Sequence, residues 1–274
     1  MAEARAADGT SLHWEERGSG PTVMLVPYWS MHPMVFEPLS TELAADSRVV
    51  RFDERGTGRS DRIGPYDVQT AADDLEAVCE AIGGAQVAVC LVGASNSAVR
   101  VANRRPDLLE RVVCVGSAPF AVGALSSSES LIASRAVVDA ILQQIETDYR
   151  GAIRSVLSGA DSGFSDDEVR ERVQLQADYS SGEAAAARAR SWAADEGGLE
   201  HGRRLGPRLA VILTEAMGGD DQWFPAAREM QPIIEEAFPQ AGVHWAANGI
   251  VTAATECAGI IRAVATSPAY DRQP

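Results

Sequence analysis

The chain has 274 residues, 46% hydrophobic and 23% charged, values that exclude disorder, collagen and coiled coil. Basic residues number 24 against 39 acidic, for a net charge of −15, and such a surface repels phosphate backbones and anionic membrane, so neither nucleic acid nor membrane is an expected partner. No apolar stretch reaches the roughly 18 residues of a spanning helix, residues 1–10 lack the apolar centre of a signal peptide, and Cys79, Cys90, Cys114 and Cys257 lie far apart with no CxxC pair, which predicts reduced core thiols and a cytoplasmic location.

Residues 22–26 form a short apolar run closed by Pro27, so a buried strand is expected there. Val35, Leu39 and Leu43 follow at helical spacing. Residues 48–52 read as a second strand, stopped by the turn Asp53-Glu54-Arg55-Gly56-Thr57-Gly58. From Val68 to Ile82, Ala71, Leu75, Val78 and Ile82 share one helical face, and Gly83-Gly84 ends the helix. Residues 86–92 are a third strand, 97–109 a helix and 111–115 a fourth strand. Valine-rich strands alternating with helices predict βαβ units and a parallel sheet covered on both faces.

The alternation then stops. Residues 118–206 are helical in character throughout. Leu131, Val137, Val138, Ile141, Leu142 and Ile145 form one stripe, Ser165-Asp166-Asp167-Glu168 is a capping box, and an Ala-rich helix starts near Glu183. This predicts a helical lid at 118–206 inserted into a core of 1–117 and 207–274. The core resumes with a strand at 208–213, a helix at 226–238, a strand at 243–246 and a closing helix at 252–264. No phosphate-binding GxxxxGK and no His/Cys cluster is present, so neither an organic cofactor nor a metal is expected.

Val92-Gly93-Ala94-Ser95-Asn96-Ser97-Ala98 stands between the third strand and the next helix. A sharp strand-to-helix turn strains its tip and accepts only small residues two places to either side, which Gly93 and Ser97 satisfy. Ser95 is then expected to project above the sheet, with the Asn96 N–H beside it as an oxyanion donor. A plain Gly-Ser turn without chemistry fits the same residues.

The order of Pro27-Tyr28-Trp29, then Phe52-Asp53-Glu54-Arg55-Gly56-Thr57-Gly58-Arg59-Ser60, then Gly93-Ala94-Ser95-Asn96-Ser97, then a helical insertion resembles the α/β-hydrolase superfamily from about Gly9 onward. The resemblance implies a mostly parallel α/β sheet flanked by helices, with the Asp53/Arg55 stretch a structural turn. It implies a catalytic acid after the strand that follows the lid; the family's four-residue spacing to Pro225 selects Asp221, with Asp220 its neighbour. It also implies a second oxyanion donor, the Trp29 N–H, in the loop Pro27-Tyr28-Trp29-Ser30-Met31-His32-Pro33. Tyr28 replaces a usual glycine there, and Tyr28, His32 and Met34 are expected to line a pocket at the sheet's C-terminal edge.

The family's histidine is missing: Ile250 occupies its position in Ala247-Asn248-Gly249-Ile250. His244 lies six residues earlier, on the order of 20 Å away along a strand. His13 reads as a sheet residue and His201 as a solvated one, leaving His244 or His32 as substitutes. Losing a triad histidine costs on the order of a millionfold in turnover, and a serine without a base is a poor nucleophile. Three functions stay open. The first is non-hydrolytic proton transfer, an epimerase or isomerase of specialised metabolism acting on an apolar small molecule or modified peptide. Bottromycin epimerase, an atypical superfamily member without a working triad, is similar in its missing histidine and aromatic loop and differs from this chain's retained Ser95. The second is a serine hydrolase of esters, lactones or amides. The third is a ligand-binding protein on the same fold.

Overall fold

A computed structural model describes residues 2–28, 30–119, 139–157, 165–214, 227–247 and 253–267. Its strands are β1 (Ala2–Arg5), β2 (Ser11–Arg17), β3 (Thr22–Val26), β4 (Arg48–Phe52), β5 (Ala85–Leu91), β6 (Leu109–Val115), β7 (Leu209–Thr214) and β8 (Gly242–Ala246). They form one sheet in the order β1-β2-β4-β3-β5-β6-β7-β8. β2 pairs antiparallel with both β1 and β4, and every pair from β4 across to β8 is parallel. The switch of direction at β4/β3/β5 puts the loops after β3, β4 and β5 together at the carboxyl edge of the sheet, where open α/β sheets bind ligands.

The helices of the core are α1 (Glu37–Leu43), α2 (Val68–Ile82), α3 (Ser95–Arg104), α8 (Ala227–Ala237) and α9 (Ala254–Thr266). Successive strand residues point to opposite faces, and the core divides accordingly. Met24, Val26, Ala88 and Cys90 pack with Leu75 and Val78 of α2 and Val99 and Val101 of α3. Val23, Leu25, Val87 and Val89 pack with Leu39 and Leu43 of α1 and Cys257 and Ile261 of α9. Each such fully buried Val, Leu or Ile side chain contributes about 1.5–3 kcal/mol of transfer free energy. The four cysteines are free and buried, and burial pushes the Cys79 and Cys114 thiols up to about 12.

Between β6 and β7 the described chain is helical: residues 139–147, then α4 (Tyr149–Leu157), α5 (Asp166–Tyr179), α6 (Gly182–Ala193) and α7 (Gly197–Leu205). The capping box at the head of α5 forms with both reciprocal bonds, Ser165 to Glu168 and back. Of the expected apolar stripe, Ile141 and Ile145 are buried against Ala152, Ala185 and Ala186, while Leu131, Val137 and Val138 lie outside the described residues.

Two expectations need correction. The third helix starts at Ser95 rather than Ser97 and ends at Arg104, because residues 105–108 close a turn through Leu108 N–H to Arg105 C=O (2.9 Å). β6 therefore begins at Leu109. The N-terminal hairpin β1–β2 had no strong local signal: β1 is a four-residue edge strand whose existence depends on pairing Ala2–Arg5 with Ser11–Trp14.

Candidate active site

The motif after β4 is built as a rigid turn. Gly58 has φ +49, and a Cβ there would fall 2.3 Å from Asp53 Oδ2, so only glycine lets the chain close over that carboxylate. Asp53 Oδ2 accepts the Arg59 N–H (2.9 Å) and Oδ1 accepts the Tyr179 hydroxyl (2.9 Å). Arg55, 2% exposed, donates to both oxygens of Asp74 on α2 (2.6 Å each) and to Asp8 (2.9 Å). The side chains of Asp53 and Arg55 are therefore occupied in holding the turn.

The residue between them, Glu54, has other partners. Its Oε2 accepts the Ser30 N–H (3.0 Å), and its Oε1 lies 3.1 Å from Nε of Arg188, a residue of α6. Burial raises the proton affinity of Glu54 above the ordinary carboxylate range, while Arg188 pulls in the opposite direction. Arg188 is itself buried. It donates to Ser30 Oγ (2.6 Å) and to the Arg55 carbonyl, and its guanidinium lies 5.2 Å over the Tyr66 ring. Glu54 and Arg188 line a small cleft with Tyr28, Asp67, Gly93, Ala94, Ser97 and Trp192. The cleft holds about 30 Å³, room for one or two waters.

The turn between β5 and α3 differs from the strained elbow its sequence suggests. Residues Val92–Ala94 form a 3-10 turn that runs directly into α3. Ser95 is the first residue of the helix, and Ser30 is the non-glycine with positive φ among the described residues. Ser95 is fully buried at the head of α3, and its hydroxyl interacts with the Cys114 thiol of β6. On the other side of the turn the indole of Trp192 abuts Gly93, and α3 begins directly after Ala94. Asn96 is also buried, its Nδ2 donating to Asp195 Oδ2 (2.7 Å), and Ser97 Oγ donates to the Ala94 carbonyl (2.8 Å).

Of the loop residues expected to line the pocket, Tyr28 lines the cleft, and burial pushes its hydroxyl up to about 12. His32 and Met34 are not among the lining residues. His32 Nδ1 accepts the Met34 N–H (3.1 Å), capping the short 3-10 helix Pro33–Phe36. Its ring meets Tyr179 edge-on at 4.8 Å, and burial lowers its proton affinity. His244 sits on β8 opposite Ile212, and burial lowers its proton affinity too. His13 lies in β2 and His201 in α7. Trp29, Asp220, Asp221 and Ile250 lie outside the described residues. Among those described, no cluster of His, Cys, Asp or Glu is placed to hold a metal ion, and no helix is long and apolar enough to cross a membrane.

Glu54, Arg188, Trp192 and Gln176 did not stand out in the sequence. One signal was present: Ala184, Arg188 and Trp192 recur four residues apart in α6, so the arginine shares the buried face with alanine and tryptophan. A charge on such a stripe needs a buried partner.

No protein-family model matches the chain. It is 30% identical over 167 residues to 2-(acetamidomethylene)succinate hydrolase of Mesorhizobium japonicum, covering 60% of this chain and 57% of that relative. Less than two thirds of the relative's length is therefore matched. Among solved structures, a bromoperoxidase from Bacillus anthracis superposes with a TM-score of 0.79 at 18% identity, over 97% of this chain and 99% of that one. The crystal structure of an E-2-(acetamidomethylene)succinate hydrolase superposes with a TM-score of 0.69 at 20% identity, over 97% and 99%. With its mostly parallel eight-stranded sheet, the turn after β4 and helices between β6 and β7, the chain has the α/β-hydrolase fold.

Proposed function

We propose that this chain is an enzyme that binds a small carbonyl compound under a lid formed by residues 118–206, and that it moves a proton at the carbon beside the carbonyl with Glu54 as the base. The observation that carries this is the contrast between Glu54 and Ser95. Ser95 is buried in the first turn of α3 against Cys114, a poor place for a nucleophile. Glu54 is a carboxylate of raised proton affinity in the wall of the cleft beside the same turn. A base works best when its pKa lies near the working pH, and burial moves Glu54 in that direction. Glu54 takes the proton, the enolate oxygen is held by the backbone N–H groups of Asn96 and Trp29, and the carboxylic acid returns the proton to carbon. The net change is an isomerisation when the proton returns to a different carbon of the enolate, and an epimerisation when the enolate turns its other face to the Glu54 carboxylic acid before the proton returns, in either case with no bond to the protein. The cleft is too small for a substrate as it stands, so the Trp192 side chain turns aside on binding while Arg188 keeps its bonds to Ser30 and Glu54. An apolar or peptide-like substrate of specialised metabolism suits the wall of Tyr28, Val68, Ala71 and Trp192.

A serine hydrolase is the alternative, favoured by one observation: the 30%-identical relative bears the name of a hydrolase acting on an acetamido-substituted succinate. Ser95 would then be the nucleophile, Asp221 the acid, and His244 or His32 the base. Two assays separate the proposals. Each enantiomer of a panel of N-acetyl amino-acid amides is incubated with the enzyme in deuterated water and read by mass spectrometry. The enzyme is separately exposed to a fluorophosphonate and to 2-(acetamidomethylene)succinate. Deuterium at the α-carbon without serine labelling supports the proton-transfer enzyme. Labelling of Ser95 with hydrolysis supports the alternative. Ligand binding with neither leaves a ligand-binding protein.

A further inference from the structure

Outside the 3-10 helix Pro33–Phe36, the described backbone bonds within the loop after β3 are the turn from Met31 N–H to the Tyr28 carbonyl (2.8 Å) and the long closure from Val35 N–H to the His32 carbonyl (3.4 Å). At its centre Ser30 is fully buried with φ +63, a left-handed conformation that costs a serine what it would not cost a glycine. Each polar group of Ser30 is held from outside the loop. Its N–H donates to Glu54, its hydroxyl accepts from Arg188, and its carbonyl accepts from Gln176 Nε2 at 2.8 Å. Gln176 lies on α5 and is fully buried. Its Oε1 accepts the His32 N–H at 2.7 Å, and its Nε2 also meets the Tyr149 hydroxyl at 3.0 Å. One glutamine of the insertion thus clamps the backbone on both sides of Met31.

The second turn is held in the same way. Asp195, just after α6, accepts from Asn96 Nδ2 (2.7 Å) and binds Arg100 of α3 through both oxygens (2.9 and 2.5 Å). Arg100 also donates to the Asn96 carbonyl (2.8 Å). Hydrophobic packing alone would cover the sheet edge. Hydrogen bonds to the main chain of one loop, and to the side chain of the residue after Ser95, do more: they fix backbone direction.

We propose that Gln176, Arg188 and Asp195 are positioning residues that shape the carbonyl site from the insertion, Gln176 and Arg188 through the Ser30–His32 backbone of the loop after β3 and Asp195 through the turn carrying Asn96. Seating the insertion and setting these two segments are then one event. This rests on the proposed binding of a carbonyl oxygen by those two segments.

The test uses the full chain. Gln176→Leu removes both loop bonds at similar volume, and Gln176→Glu keeps the acceptor for His32 but loses the donor to Ser30. Leu175→Ala, an exposed neighbour on α5, is the control. Hydrogen exchange followed by mass spectrometry is expected to be about tenfold faster in peptides covering residues 28–36 for Gln176→Leu. Gln176→Glu should be intermediate, with β5 and β6 unchanged and the control like the wild type. On whichever amide of the panel the wild type turns over, Gln176→Leu and Asp195→Ala should lower kcat ten- to a hundredfold with KM within about threefold, and Asp195→Glu should recover part of the loss. Unchanged exchange in residues 28–36 for both Gln176 variants overturns the proposal. So does a loosened loop with wild-type kcat, or a loss confined to KM. If the wild type turns over no amide, the proton-transfer reaction fails on its own, and the exchange result still decides whether Gln176 sets the loop.

Discussion

The indole of Trp192 occupies the space a side chain at Gly93 would need: a Cβ built on Gly93 would fall 2.6 Å from both Cδ1 and Cγ of that ring. The turn after β5 and the insertion helix α6 thus share one close contact, and the side chain that closes the cleft is the one that demands a glycine. Gly93→Ala should therefore unseat α6. The cost of overpacking is about 1–3 kcal/mol, read as a lower midpoint in chemical denaturation and faster exchange in α6.

Trp192→Ala alone leaves a cavity and should cost about 3–5 kcal/mol. In the double variant the new methyl group fills part of the space the indole vacates, so the two losses should fall short of their sum. A double-mutant cycle is expected to give a coupling of roughly 0.5–3 kcal/mol. Strict additivity would mean that the two residues do not meet in solution.

Ser95→Ala should be mild. It removes a hydrogen bond to the buried Cys114 thiol, worth about 0.5–1.5 kcal/mol, and leaves the backbone donors in place. Turnover in the proton-transfer assay should drop by about tenfold at most, whereas a nucleophilic serine would give a loss of several orders of magnitude. A fluorophosphonate that labelled the wild type at Ser95 and not the variant would contradict the burial of this side chain.

Much of the fold was legible because its signals are local. The runs at 22–26 and 48–52 coincide with β3 and β4, the span Val68–Ile82 coincides with α2, and the Ser165/Glu168 box opens α5. The site was less so. The residues Gly93 to Ser97 are compatible with a strained elbow and with a 3-10 turn feeding a helix, and a partner from α6 almost a hundred residues away accompanies the second. Gln176 is an ordinary polar residue in a polar helix until the loop after β3 is folded beneath it. Glu54 sits inside a turn whose neighbours Asp53 and Arg55 have structural duties, and its different orientation depends on Arg188. Such contacts are set by long-range packing, which a one-dimensional pattern does not carry.

Asp74→Asn tests the anchor of the turn after β4. Asp74 binds Arg55 through two hydrogen bonds of 2.6 Å, and both side chains are nearly inaccessible, at 3% and 2%. Removing one charge leaves the other buried with Asp8 as its ionic partner among the described residues, and breaking a buried pair costs about 3–5 kcal/mol. The loss should appear as a large fall in the denaturation midpoint with an unchanged slope. A change within about 0.5 kcal/mol would place Arg55 in contact with water.

Glu54→Gln addresses both the chemistry and the titration. As the base, Glu54 must be ionised, so turnover in the amide assay should fall as pH drops through its pKa. Burial puts that acidic limb above the ordinary carboxylate value of 4.5. Glutamine cannot accept the proton, and turnover should decline at least a hundredfold at the optimum, with the limb gone. Stability gives an independent check. A carboxyl whose folded pKa is raised binds its proton more tightly in the native state, so its contribution is complete below the unfolded pKa and is lost as pH rises through the folded one. The glutamine variant has no such proton to lose. The stability of wild type relative to Glu54→Gln should therefore decrease as pH is raised from below 4.5 through the acidic limb of turnover, measured by urea denaturation at each pH. A relative stability that instead grew with pH would mean that Arg188 outweighs burial at this carboxylate. Glu54 would then be a permanently ionised anchor for α6, too weakly basic to take a proton from carbon.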